Sequence, residues 1–181
     1  KEDDASLNSV TVNGMTIDGE EWTDLPFVYD MGLQDELSLQ ISPTDPSATV
    51  SIGKNYSEVI SKATIKDVVC TITSGNQSKQ YVLSVSRRYP FYDVIYVKWN
   101  NTLLTDLRKI REDGFEAIAY QWYRNDAPMV GETAATYSAG EDETDLLERN
   151  SEYYLEIKTT QGILRTSAEK PALKTFSVSA Y

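Results

Sequence analysis

The segment Lys79-Gln80-Tyr81-Val82-Leu83-Ser84-Val85-Ser86 decides the fold class, because large apolar residues occupy every second position from Tyr81 to Val85. Tyr81, Leu83 and Val85 fall on one face of an extended chain, and mostly polar residues fall on the other. This pattern is typical of a β-strand with one buried face. We therefore predict a strand at 79–86 whose apolar side faces a core.

The same alternation recurs along the chain, and clusters of Asn, Gly, Asp and Pro interrupt it. Such clusters mark turns between short strands. The pattern predicts an all-β chain with one exception, a short helix at 103–110 where the leucines have helical spacing. The predicted strands are 6–13, 36–41, 49–52, 68–73 and 79–86 in the first half, and 93–99, 116–124, 134–138, 152–159, 163–166 and 174–180 in the second half.

A boundary between two halves is indicated at 87–92, where two arginines and a proline separate one alternating run from the next. Short strands at even spacing favour β-sandwiches. We predict two small sandwich domains, 1–88 and 89–181, with residues 1–4 as an acidic tether. The acidity is shared evenly, since the halves carry 7 − 13 = −6 and 10 − 15 = −5 charges.

Composition narrows the function classes. The 181 residues include 28 acidic and 17 basic side chains, so the net charge of −11 repels nucleic acid. The chain has no His, which removes Ser-His-Asp catalysis and most zinc sites. The single cysteine, Cys70, lies within the predicted strand 68–73, and we interpret it as a buried small hydrophobe rather than a reactive thiol.

Three motifs in the first half carry a family resemblance. They are DASLNSVTVNG at 4–14, PTDPSATVSIG at 43–53 and KQYVLSVSR at 79–87. In this order they resemble the cadherin-like β-sandwich repeat of bacterial surface proteins. The resemblance covers about residues 4–88 and implies a Greek-key sandwich.

The second half resembles the immunoglobulin-like domains of bacterial secreted proteins. The motifs are YQWYRNDAPMVG at 120–131, ATYS at 135–138 and SEYYLEI at 151–157. The resemblance implies a second Greek-key sandwich over about 89–181. It also implies that Trp122 packs between the two sheets and that Tyr153 ties the chain at a corner.

Neither family implies catalysis. The resemblances instead predict a non-catalytic module of a bacterial exported cell-surface protein, serving adhesion, spacing or assembly with a glycan or protein partner. The acidic start at 1–4 favours two alternatives equally: a tether that follows a lipid anchor upstream of residue 1, or a linker from a preceding repeat. Both place the chain outside the cell, either secreted or anchored at the outer membrane.

An alternative hypothesis is that the chain is a carbohydrate-binding surface protein, and two tryptophans are then candidate ligand-binding residues. Trp22 has polar neighbours that include Asp24, and Trp99 precedes two asparagines. An exposed indole can stack on the apolar face of a pyranose while acids accept hydroxyl hydrogen bonds. The competing interpretation, which we favour for both residues, places each ring in a sandwich core.

The acidic loop at 141–145 is a candidate for weak calcium binding, through Glu141, Asp142, Glu143 and Asp145. Clustered carboxylates are the hard ligands that Ca²⁺ prefers, although the loop lacks the alternating pattern of a dedicated calcium site. A solvated loop is the simpler interpretation, and we predict no other cofactor. The many carboxylates also leave a second alternative, part of a glycan-processing enzyme with two paired acids.

Overall fold

The structure is a computed structural model that describes residues 3–22, 26–142 and 144–175. It confirms the all-β class, because its helical segments are short: a 3-10 turn at Gly19–Glu21, helix α1 at Phe91–Val94 and helix α2 at Arg108–Glu112. The chain separates into two compact units, Lys1–Arg88 and Tyr89–Tyr181. Within the described part of the chain, no helix combines the length and apolar character needed to span a bilayer.

The first unit contains two four-stranded sheets. Strands β1, β2, β4 and β6 form one sheet in the order β2-β1-β4-β6, and β3, β5, β7 and β8 form the other in the order β3-β8-β7-β5. All pairs are antiparallel except β3 with β8. The strands are β1 Leu7–Val12, β2 Met15–Asp18, β3 Phe27–Asp30, β4 Glu36–Pro43, β5 Thr49–Val50, β6 Asn55–Val59, β7 Thr64–Ser74 and β8 Gln77–Arg87.

The β7–β8 hairpin confirms the alternation from which the fold class was predicted. Tyr81, Leu83 and Val85 are buried on β8, and Tyr81 lies opposite Cys70 of β7. These side chains join apolar residues of β1 and β4 in one core cluster. The two sheets therefore enclose a shared core, as in a β-sandwich.

The second unit contains a three-stranded sheet in the order β13-β10-β9 and a four-stranded sheet in the order β12-β11-β14-β15. Trp122 and Tyr153 of the larger sheet contact Tyr137 of the smaller one, with ring centroids 6.4 Å and 6.0 Å apart. Aromatic side chains therefore fill the space between the sheets. The strands are β9 Ile95–Lys98, β10 Thr102–Thr105, β11 Ala117–Arg124, β12 Ala127–Pro128, β13 Thr136–Ser138, β14 Tyr153–Thr159 and β15 Gly162–Arg165.

One predicted helix of the second unit is wrong over its first part, and one predicted strand lies mostly outside the described residues. In the helix predicted at 103–110, residues 103–105 belong to strand β10, and helix α2 begins only at Arg108. Leu103 pairs with Val97 of β9 and Tyr137 of β13, so tertiary pairing overrides the helical spacing. The strand predicted at 174–180 is not found at 174–175, and residues 176–180 lie outside the described part.

Candidate functional site

Trp99 lies at the tip of the β9–β10 hairpin, where its side chain is 71% exposed. Strand β9 ends at Lys98, and the chain turns through Trp99 and Asn100, both with positive φ (56° and 58°). The Asn101 amide donates to the Lys98 carbonyl at 3.3 Å and closes this turn. The favoured prediction of a core position for Trp99 is therefore wrong, because the strand ends one residue before it.

The indole of Trp99 contacts its neighbour in sequence, Lys98. The ammonium of Lys98 lies 4.1 Å from the ring centroid, a distance at which the cation is attracted to the π-face. The ring is also part of the wall of an open groove with a volume of about 770 Å³. A large exposed aromatic surface is thus presented beside a concavity rather than on a flat face.

We call this concavity the Trp99 groove. Apolar and polar side chains share its wall, which is the usual composition of a small-ligand site. Leu146 and Leu173 supply the apolar part beside the indole. The charged and amide groups of the wall are Glu141, Arg149, Lys174, Asn100 and Asn101.

Hydrogen bonds fix the shape of the Trp99 groove. The Asn100 side chain donates to the Lys174 carbonyl at 2.7 Å and accepts from the Lys174 amide at 2.8 Å, as a paired strand would. The Asn100 carbonyl accepts from the Leu147 amide at 2.9 Å, and the Asn101 carbonyl accepts from the Ala139 amide at 2.8 Å. Three separate segments are therefore tied to the hairpin turn, so the groove is formed before a ligand arrives.

Trp22 is placed differently, and the favoured interpretation of it as a core residue is confirmed. The side chain is only 9% exposed and belongs to the core of the first unit. Its ring stacks on Phe27 at 5.3 Å and meets Tyr81 edge-on at 5.9 Å. Its indole N–H has no hydrogen-bond partner among the described residues. The polar neighbours of Trp22 in sequence suggested exposure, but Phe27 and Tyr81 bury the ring. The other candidate of this segment, Asp24, lies outside the described residues.

The acidic loop at 141–145 is organised by its own carboxylates. Asp145 accepts a hydrogen bond from the Asp142 amide at 3.2 Å, and Asp142 accepts one from the Thr144 amide at 3.2 Å. Among the residues that the structure describes, no three acidic side chains converge as metal ligands. Glu141 instead lies in the wall of the Trp99 groove, and Glu143 lies outside the described residues.

Cys70 is buried, in agreement with its interpretation as a core residue. Burial raises the pKa of its thiol to about 11, so the thiolate is scarce at neutral pH. Since the thiolate is the nucleophile, Cys70 is chemically inert in the folded chain.

A second concavity lies at the other end of the β9–β10 hairpin and was not predicted. This cleft, with a volume of about 470 Å³, lies between Tyr96 and the start of helix α2. Arg108 donates to both carboxylate oxygens of Asp106, and these bonds lower the pKa of Asp106 to about 2. Arg111 supplies a second guanidinium to its wall. We call it the Arg108 cleft; the basic run at 108–111 in an acidic chain is the signal that could have found it.

Comparison with known proteins adds no assignment to this geometry. No family model matches the chain, and no curated protein has significant similarity to it.

Proposed function

We propose that the chain is a non-catalytic module of a bacterial exported surface protein, and that its second unit binds a carbohydrate through the Trp99 groove. The observation that carries the proposal is the indole of Trp99, 71% exposed on a turn that three segments hold in place. A flat apolar ring beside amide, carboxylate and guanidinium groups offers stacking and hydroxyl recognition together. Adhesion to a surface glycan is accordingly the role we favour over spacing or assembly.

The proposed architecture is a cadherin-like Greek-key sandwich followed by an immunoglobulin-like one. In the second unit, the Tyr153 hydroxyl accepts a hydrogen bond from the Glu148 amide at 3.0 Å, five residues upstream. Trp122 is fully buried and donates to the Ala134 carbonyl at 2.8 Å. Both features support the immunoglobulin-like resemblance, in which a tyrosine ties a corner and a tryptophan fills the core.

The alternative of a glycan-processing enzyme has less support. Retaining and inverting glycosidases both need two carboxyl groups that flank the scissile bond. In the described wall of the Trp99 groove, Glu141 is the one carboxylate. A single acid beside an aromatic ring can bind a sugar but does not provide the acid and base pair.

The proposal is tested by screening the purified chain on a glycan array, once with calcium and once with a chelator. We expect binding that is independent of calcium and that is lost in Trp99→Ala. The control is Val130→Ala, which removes an exposed apolar side chain of the same unit that is not part of the groove wall. Thermal melts show whether both variants are folded.

A blank array in both conditions would reject carbohydrate binding and leave spacing or protein adhesion. Binding that survives in Trp99→Ala would move the site away from the groove. A signal that requires calcium would favour the acidic loop at 141–145 instead.

A further inference from the structure

The two concavities of the second unit lie at opposite ends of one short hairpin. The Trp99 groove is at its turn, and the Arg108 cleft is at its open end, where Tyr96 and Thr105 contribute to the wall. Strands β9 and β10 contain four residues each. The distance along the hairpin is therefore short enough for one extended ligand to reach both.

The outward face of β9 connects these ends. Tyr96 is 51% exposed and Lys98 shares its face, because alternate residues of a strand point the same way. Strand β9 advances two residues from Tyr96 to its last residue, Lys98, or roughly 7 Å at the rise of a β-strand, and Trp99 follows in the turn. Two exposed aromatic rings are thus separated by a lysine on one edge of the sheet.

The outward face of β9, the Trp99 groove and the Arg108 cleft together form a continuous path. The net charge along this path is positive, whereas the chain as a whole is negative. Among the described residues that line the path, five side chains are cationic and two are carboxylates, a local balance of 5 − 2 = +3 in a unit with a net charge of −5. The cations are Lys98, Arg108, Arg111, Arg149 and Lys174, and the carboxylates are Asp106 and Glu141.

We infer that the ligand of this site is an acidic polysaccharide, carrying carboxylates or sulfates, that runs along β9 from the Trp99 groove to the Arg108 cleft. The inference rests on the proposed function and names the class of glycan. Sugar rings would stack on Trp99 and Tyr96, while acidic groups would meet Lys98 between them and the guanidinium groups of the cleft. An acidic polysaccharide repeats both its sugar rings and its charges, and the aromatic and cationic side chains along β9 alternate in a matching way.

The test compares acidic glycans with their own neutral derivatives. Hexamers of polygalacturonate, alginate and chondroitin are each measured by calorimetry beside the same hexamer with its carboxyl groups reduced to alcohols. We expect at least one acidic hexamer to bind about tenfold or more tightly than its reduced form, as loss of one charge-assisted contact predicts. Its affinity should fall as salt is added, because screening weakens exposed charge pairs.

Variants locate the path on the protein. Arg108→Gln/Arg111→Gln should weaken the acidic hexamer by about tenfold or more, as loss of two charged contacts predicts. The matched control is Lys158→Gln/Lys170→Gln, which removes the same charge from exposed positions that line neither concavity. The control double variant should bind as the unmodified chain does.

The outcomes separate this inference from the proposed function. Equal binding of acidic and reduced hexamers, lost in Trp99→Ala, would overturn the acidic class but keep carbohydrate binding. Binding lost in Trp99→Ala but unchanged in Arg108→Gln/Arg111→Gln would overturn the path along β9. No binding of any hexamer, with binding of polyglutamate instead, would overturn both and identify an acidic peptide as the ligand.

Discussion

Two tryptophans of this chain are nearly equally buried and differ in what their indole N–H groups contact. Trp122 is fully buried and donates to the Ala134 carbonyl at 2.8 Å, whereas Trp22 is 9% exposed and its N–H has no partner among the described residues. Trp22→Phe and Trp122→Phe remove the same atoms from two cores. The loss of packing is therefore similar in both, and the hydrogen bond makes the difference.

The magnitude follows from hydrogen-bond energetics. Trp122→Phe leaves the Ala134 carbonyl without this donor, while Trp22→Phe removes a donor that has no partner among the described residues. An unpaired buried polar group costs about 1–3 kcal/mol, so Trp122→Phe should destabilise its unit by that much more than Trp22→Phe does. Hydrogen exchange gives each unit's unfolding free energy separately, from amides of β7 and β8 in one and of β11 and β14 in the other.

The control for this pair is the unmodified unit in each variant, whose exchange should not change. Equal destabilisation by the two substitutions would refute the reasoning. It would show that the indole N–H of Trp22 is satisfied in solution, and that burial alone sets the cost of truncating either ring.

Three further predictions concern single positions. In Gly19→Ala the new Cβ would overlap the Leu7 carbonyl, so we expect a loss of about 1–3 kcal/mol in a urea titration; an unchanged midpoint would contradict the close approach. Cys70 should react with a thiol reagent only on unfolding. Because its native pKa of about 11 exceeds the usual value, its own contribution to stability should be constant below about pH 8.5 and fall above it, and Cys70→Ala should remove this contribution. Trp99→Asn should keep or raise the melting temperature while sugar binding is lost, since asparagine tolerates positive φ; a large drop in melting temperature would make Trp99 structural.

Strands with one buried face could be predicted from the sequence, whereas the residue at which a strand ends in a turn could not. Strand β7 alternates from Val68 onward and β8 from Tyr81 to Val85, so the buried positions of Tyr81 and Leu83 could be predicted from spacing alone. The end of β9 could not, because its alternation continues through residue 99 and would place Trp99 inward. The structure ends the strand at Lys98, and this one-residue difference turns the ring outward.

The burial of Trp22, which the favoured interpretation predicted, could not be derived from its sequence neighbours alone. Local polarity is a guide to exposure only where a side chain meets its own neighbours in sequence. Trp22 instead contacts Phe27 and Tyr81, and Tyr81 is distant along the chain, so its burial depends on the assembled sandwich. The Arg108 cleft was missed for the same reason, since Tyr96 and Arg111 become neighbours only after β9, β10 and helix α2 are in place.

The turn at Trp99 is an unfavourable place for this side chain, and that cost bears on its role. A positive φ is strained for a residue with a large side chain, and an indole left 71% exposed forgoes the burial that stabilises aromatic residues elsewhere. The cation of Lys98 offsets only about 0.5–1 kcal/mol at an exposed site. Folding alone would favour glycine or asparagine there, as in most tight hairpin turns. Backbone strain and exposure at one residue, on the rim of a pre-formed groove, therefore support the proposed binding role of Trp99.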